Sequence, residues 1–294
     1  MLQTCNVTAP GLHEALSERG FLARVDCGRI IRVYLVDKSG VSFWSEVPCE
    51  AKICMSFGAG VHDASWLYVC ATETLIVRVF DVQERHYKVM ESFQLARPNG
   101  NALCALAARK PWAAGLFRSC TYTNDNLALY RHGEVAPLWV VSRWQLDCPR
   151  FTRNGLHVAI LERKAHKGVL EIFRLHDGKS EGLIFAEMIW PSCPLQLQDD
   201  SWLTVRERDG DLIYDNHAVW KVDPSDEVIW NLVLVPSRGV MVTSRRKVIL
   251  LTTPDQANMD AMSDDRVAWM TAVRRSPGKC RARDARTILV LHHS

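Results

Sequence analysis

Residues 153–179 read RNGLHVAILERKAHKGVLEIFRLHDGK. A polar turn at Arg153-Asn154-Gly155 opens the stretch, the apolar runs LHVAILE and GVLEIFRL follow, and the charged segment ERKAHKG turns the chain between them. Short runs rich in Val, Ile, Leu and Phe, bounded by Gly, Asp and Asn, have the composition of strands, and two of them joined by a tight polar turn read as a hairpin.

The second run recurs along the whole chain. Aligned on it are RIIRVYLVDKSG from Arg29, TLIVRVFDVQ from Thr74, NLALYRHGE from Asn126, GVLEIFRLHDGK from Gly168, DLIYDN from Asp211, KVILLTTPD from Lys247 and RTILVLHHS from Arg286. Most copies follow another apolar run (FLARVD, SWLYVCA, LHVAILE, SWLTVRE, VMVTS) and precede an outer one (VSFWSEV, KVMESFQL, APLWVVS, GLIFAEM, HAVWKV). The unit is therefore strand a, turn, strand b, turn, strand c, then strand d. One four-stranded sheet cannot bury both faces alone, so a unit of about 36–52 residues repeated in tandem predicts sheets packed radially. The expectation is a single all-β domain over residues 1–294, a seven-bladed β-propeller. Its c strands fall near 29–36, 74–82, 126–132, 168–176, 211–216, 247–253 and 286–292. Only residues 12–19 and 254–270 offer a helical turn or two, and the second reads as easily as a polar loop.

The repeats resemble the WD40 family over the full length. Phe80-Asp81 in IVRVFDV and Asp177-Gly178-Lys179 in EIFRLHDGK stand where that family has its Trp-Asp dipeptide and following turn, and LVPSRGVMVTSRRKVILLT matches its inner hairpin. No copy has the Trp-Asp pair itself and the Gly-His opening is absent, so the resemblance is to a divergent, WD40-like propeller. It implies that the N-terminal strand, here residues 2–8, completes the last blade and closes the ring, which removes an exposed sheet edge. The Phe-Arg-Arg-Gly of phosphoinositide-binding propellers is missing; Ser244-Arg245-Arg246-Lys247 is a poor substitute.

Composition is globular, with 48% hydrophobic and 23% charged residues, which gives enough apolar side chain for a full core. The first twenty residues lack a basic n-region and an apolar h-region, and no apolar run approaches the ~20 residues of a bilayer-spanning helix. An intracellular protein, cytoplasmic or nuclear, is expected. The ten cysteines form no Cys-x-x-Cys pair and no zinc spacing, so buried reduced thiols and no metal are expected.

Nucleophile-elbow, P-loop, dinucleotide-binding and His-Glu-x-x-His patterns are all absent, and no cofactor is expected. A propeller enzyme can gather His, Asp and Glu in its channel without a local signature, but His62-Asp63 and His176-Asp177, the nearest pairs, fall in turns. The reading is non-catalytic. The ten tryptophans suggest an aromatic cage less readily than a wedge filling: Trp44, Trp139 and Trp220 lie in outer strands, where large rings close the gap between splayed sheets.

Charge carries the functional reading. The chain is only +3 overall, yet residues 245–286 hold ten Lys/Arg against five Asp/Glu. The b–c turns, which share one face of a WD40-like ring, read Asp26-Cys27-Gly28, Thr72-Glu73-Thr74 and Thr123-Asn124-Asp125 in the first three units. In units four to seven they carry Arg163, Lys164, His166 and Lys167, then Arg206 and Arg208, then Arg245, Arg246 and Lys247, then Arg281, Arg283 and Arg286. Such an arc suits an acidic protein segment, or the phosphates of RNA, through steering and charged contacts. The expected function is a scaffold subunit of a multi-protein complex, a monomeric propeller docking an acidic partner on that face. An RNA-binding subunit is the alternative, and a channel-sited enzyme the third.

Overall fold

The computed structural model describes residues 14–26, 29–37, 40–49, 52–60, 62–83, 85, 87–119, 124–164 and 167–187, and beyond them the strand segments 195–196, 202–205, 212–214, 217–220, 229–235, 239–244 and 248–251. These fall into six antiparallel sheets, each built in chain order from its first strand to its last. The first holds β1 (Glu14–Leu16), β2 (Phe21–Asp26), β3 (Ile30–Asp37) and β4 (Gly40–Pro48). The second holds β5 (Ile53–Phe57), β6 (Trp66–Ala71), β7 (Ile76–Asp81) and β8 (Lys88–Gln94). β9 (Ala102–Arg109), β10 (Trp112–Arg118), β11 (Asp125–Arg131) and β12 (Trp139–Arg143) form the third, and β13 (Leu146–Phe151), β14 (His157–Lys164), β15 (Lys167–Arg174) and β16 (Ser180–Glu187) the fourth. The fifth comprises β17 (Leu195–Gln196), β18 (Trp202–Val205), β19 (Leu212–Tyr214) and β20 (His217–Trp220), and the sixth β21 (Ile229–Val235), β22 (Gly239–Ser244) and β23 (Val248–Leu251).

The chain is an all-β propeller. Its first strands lie side by side: β5 meets β1 and β9, β13 meets β9, and a parallel bridge joins Gly58 to Ala108. β1 and β21 also bring Cα atoms within 8 Å of each other. The core lies between the sheets. Phe21, Ile31, Val33, Met55, Phe57 and Leu67 fill the gap between the first and second, Cys54, Tyr68, Phe93, Leu103, Phe117 and Tyr130 the next, and Leu116, Leu127, Leu129, Leu146, Ile160 and Phe173 the third. Burying each of these large side chains contributes about 1.5–3 kcal/mol, which is why strands too short to persist alone are held here.

One local reading changes. Residues 14–16, within the stretch expected to make a helical turn, form β1 and pair Ala15 with Ala23. Ladder bonds to β2 satisfy the backbone that a helix would satisfy internally, and Ala15 is buried among Phe21 and Ile31. The alanine-rich β10 has a composition poor in strand formers, and packing explains it: a Cβ on Gly115 would lie 2.8 Å from the Phe117 ring. Small residues leave room there for Phe117 and Tyr130 from either strand of the hairpin. The expected seventh c strand at 286–292 and the closing strand at 2–8 lie outside the described residues.

Side chains tie each of the first four sheets to the next among them. Trp44 in β4 donates its indole N–H to the Val82 carbonyl at 2.6 Å, and Trp139 in β12 does the same to Leu175 at 2.8 Å. Both rings fill the wedge expected of outer-strand tryptophans. At the a–b turns, Ser17 donates to the Ala64 carbonyl, the Asp63 carboxylate accepts the Lys110 N–H at 3.0 Å, and Arg109 donates to the Thr152 and Arg153 carbonyls at 3.0 Å.

Candidate functional site

The best-defined part of the predicted basic arc is the β14–β15 hairpin. Its last two rungs pair Arg163 with Gly168 and Lys164 with Lys167, so the backbone brings three basic residues to one tight turn. Arg206, Arg208, Arg245, Arg246, Lys247, Arg281, Arg283 and Arg286 lie outside the described residues.

At the same end of the neighbouring sheets sits a polar cluster that no motif announces. Arg118, the last residue of β10, places Nη2 3.0 Å from Asp147 Oδ1 in β13 and Nε 3.7 Å from Asp125 Oδ2 at the start of β11. The Asp125 carboxylate also accepts the N–H groups of Leu146 at 3.0 Å and Ser119 at 3.3 Å, and Arg118 donates to the Leu146 carbonyl at 3.0 Å. Asp125 and Asp147 are each 5% exposed. Burial raises the Asp125 pKa against the opposing pull of Arg118 and the two N–H donors. Cys104 lies beside them, its thiol pushed up to about 12 chiefly by burial, and donates to the Leu116 carbonyl at 3.3 Å. One strand further out, Arg143 pairs with the buried Glu171 at 3.3 Å.

Chemically this cluster is a fastener. Each charge has a partner, the thiol is held protonated, and the Asp125 carboxylate binds backbone N–H groups, so the end of β10, the start of β11 and the entry to β13 are pinned together. Asp125, quoted from the sequence as part of the b–c turn of the third unit, is turned inward. The cluster was hard to foresee because Arg118, Asp125 and Asp147 come from two sheets, and the only hint was an Asp bordering each of two apolar runs.

The other singled-out pairs are turn residues. Asp177 accepts from Arg174 at 2.7 Å and from the Lys179 N–H at 3.1 Å, while His176 is 73% exposed. Cys49, Cys54, Cys70, Cys104 and Cys148 form no disulfide. Among the described residues no three His, Cys, Asp or Glu side chains converge as a metal site, and no helix is long and apolar enough to cross a membrane.

The class of protein is a β-propeller, similar in fold to solved propellers at low sequence identity. The β-propeller domain of Cps50 (Swd1) from Myceliophteria thermophila superimposes with a TM-score of 0.52 at 9% identity, covering 85% of this chain and 100% of that one. The hydrazine synthase of Kuenenia stuttgartiensis gives 0.52 at 10% identity, covering 92% of this chain and 86% of that one. The WD40 domain of Toxoplasma gondii coronin gives 0.45 at 11% identity over 68% of this chain and 54% of that one. No family model and no curated protein matches the sequence.

Proposed function

We propose that the chain is a non-catalytic scaffold subunit of a multi-protein assembly that docks an acidic partner segment on the face carrying its b–c turns. WD40-like propellers generally act as interaction scaffolds, and the charges of the Arg118–Asp125–Asp147 cluster are paired with one another, which leaves faces and rim as the working surface. One observation carries the reading: the b–c turns of the first three repeats, Asp26-Cys27-Gly28-Arg29, Thr72-Glu73-Thr74 and Thr123-Asn124-Asp125, hold a single arginine and no lysine, whereas those of the later four hold eleven basic residues. We place the protein inside the cell, as a monomeric propeller within a hetero-complex. For the ring we propose seven blades, the last made from residues 286–292 and 2–8. An electron-microscopy view down the ring axis tests this count: seven blades are expected, and a ring closed by six sheets, with β1 directly beside β21, would overturn it.

Binding of a fluorescent poly-glutamate peptide and of poly(U) RNA, each titrated against salt, tests the function. The expected result is peptide binding that weakens as salt rises and falls at least tenfold in Arg245→Glu/Arg246→Glu. Tight RNA binding with a steep salt slope would instead favour the nucleic-acid reading. Unchanged binding of both probes by the charge-reversed protein would overturn the arc in either form.

A further inference from the structure

The seam between the second and third sheets departs from its neighbours at one repeated position. Two residues beyond an aromatic in the third strand of each of the first four sheets (Tyr34, Phe80, Tyr130, Phe173), the chain turns a side chain inward. Val36, Val82 and Leu175 hold this place in sheets one, two and four and are buried. Each donates its backbone N–H to the a–b turn of its own sheet, at Gly20, Ser65 and Leu156. His132 holds it in the third sheet, with its N–H on the Pro111 carbonyl at 2.8 Å and its side chain 5% exposed. An imidazole sits where the first, second and fourth sheets place an aliphatic group.

The covering residue changes with it. Trp44 closes over Val82, and Trp139, opposite Leu129 in its ladder, closes over Leu175. Glu91, opposite Val79 in the matching ladder of the second sheet, approaches His132 instead, with Oε1 3.4 Å from Nδ1. The imidazole stacks on Phe93 with centroids 4.5 Å apart and lies 5.6 Å from the Tyr68 ring. Neither of its nitrogens makes a hydrogen bond of good geometry, nor does the buried Tyr68 hydroxyl. Glu91 is shared with Lys110, whose Nζ lies 3.8 Å from Oε2 and 4.7 Å from the centre of the Trp66 ring. Asp63 completes the charged surroundings by accepting the Lys110 N–H.

We propose that His132 and Glu91 make this seam an acid-responsive joint, in which protonation of His132 places a cation in an aliphatic seat and loosens the second sheet from the third while the flanking seams stay closed. Burial is the chief influence on the imidazole and lowers its pKa, Lys110 acts in the same sense, and Glu91 with the Trp112 backbone opposes them; the net shift is downward. A histidine lowered on folding contributes stability that is complete above its unfolded pKa of about 6.5 and is lost as pH falls through the folded value. The window therefore opens below neutrality, the range in which histidine switches operate.

Residue-resolved hydrogen exchange on the full chain, corrected for intrinsic rates, reads the joint at pH 7.5 and 5.5. Ala96, which donates to Val135 across the seam, and His132 report on it; Val82 and Leu175 report on the seams to either side. Exchange at Ala96 and His132 should accelerate in acid by up to about tenfold per pH unit, the limit for uptake of one proton, with little change at Val82 and Leu175. His132→Leu should abolish the difference, and Glu91→Gln, which removes an interaction favouring the imidazolium, should move it to lower pH. Uniform acceleration at all four amides, greater protection in acid, or a His132→Leu protein that keeps the pH response would overturn the proposal. Should His132→Leu fail to fold, the wild-type comparison of seams and the Glu91→Gln shift decide it.

Discussion

Replacing Asp125 by alanine removes one carboxylate that serves three partners. The Leu146 N–H loses an acceptor at 3.0 Å, the Ser119 N–H one at 3.3 Å, and Arg118 a charge at 3.7 Å. Hydrogen bonds to a charged group contribute about 1.5–3 kcal/mol each, and removing one partner of a buried pair costs roughly 3–5 kcal/mol. Arg118 keeps Asp147 at 3.0 Å, so the loss should fall at the lower end, about 3 kcal/mol. At about 2–4 °C per kcal/mol for a chain of this size, the melting temperature should drop by roughly 6–12 °C. Asp125→Asn keeps the volume and one acceptor and should lose about half as much. The Asp125 pKa is raised on folding, so its contribution is fullest in acid and declines as pH rises through the folded value. The gap between wild type and Asp125→Asn should accordingly be wider at pH 4 than at pH 7. A scanning-calorimetry melt of Asp125→Ala within about 1 °C of wild type, a tenth of the expected shift, would refute the fastener.

Trp44→Phe and Trp139→Phe should each cost about 1–3 kcal/mol by leaving a carbonyl without its donor, and in urea melts the two should add within about 0.5 kcal/mol because they sit in different seams. Non-additive losses would argue against separate fasteners. Gly155 has φ +71°, and a Cβ there would lie 2.5 Å from Arg109 Nε. Gly155→Ala should therefore displace the guanidinium from the Thr152 and Arg153 carbonyls and destabilise by at least about 1 kcal/mol, with little further loss when Arg109→Ala is added. Cys54, Cys70 and Cys104 should resist a thiol reagent at pH 8 in the folded protein and react once it is unfolded, since burial raises the pKa of Cys54 and Cys104. Native labelling of Cys104 at the rate of a free thiol would contradict its placement.

The order of strands within each unit was legible because it rests on local chemistry: apolar runs of strand length, punctuated by Gly, Asp and Asn, repeat whatever the rest of the chain does. The outer-strand tryptophans were legible as wedges for the same reason, though not the carbonyls that Trp44 and Trp139 reach, which belong to the next sheet. β1 was misread, since Glu14–Leu16 is too short to show a period and becomes a strand only through its ladder with β2. The basic arc is a sequence feature, and the structure adds the β14–β15 rungs that set Arg163, Lys164 and Lys167 about one turn. What the tertiary structure alone decided are the junctions. Arg118, Asp125 and Asp147 are unremarkable in the chain, and Glu91 and His132 lie 41 positions apart. Radial packing of separate sheets joins such residues, desolvates them and makes their charges depend on one another, and no local pattern can encode an interaction whose strength comes from burial between two sheets.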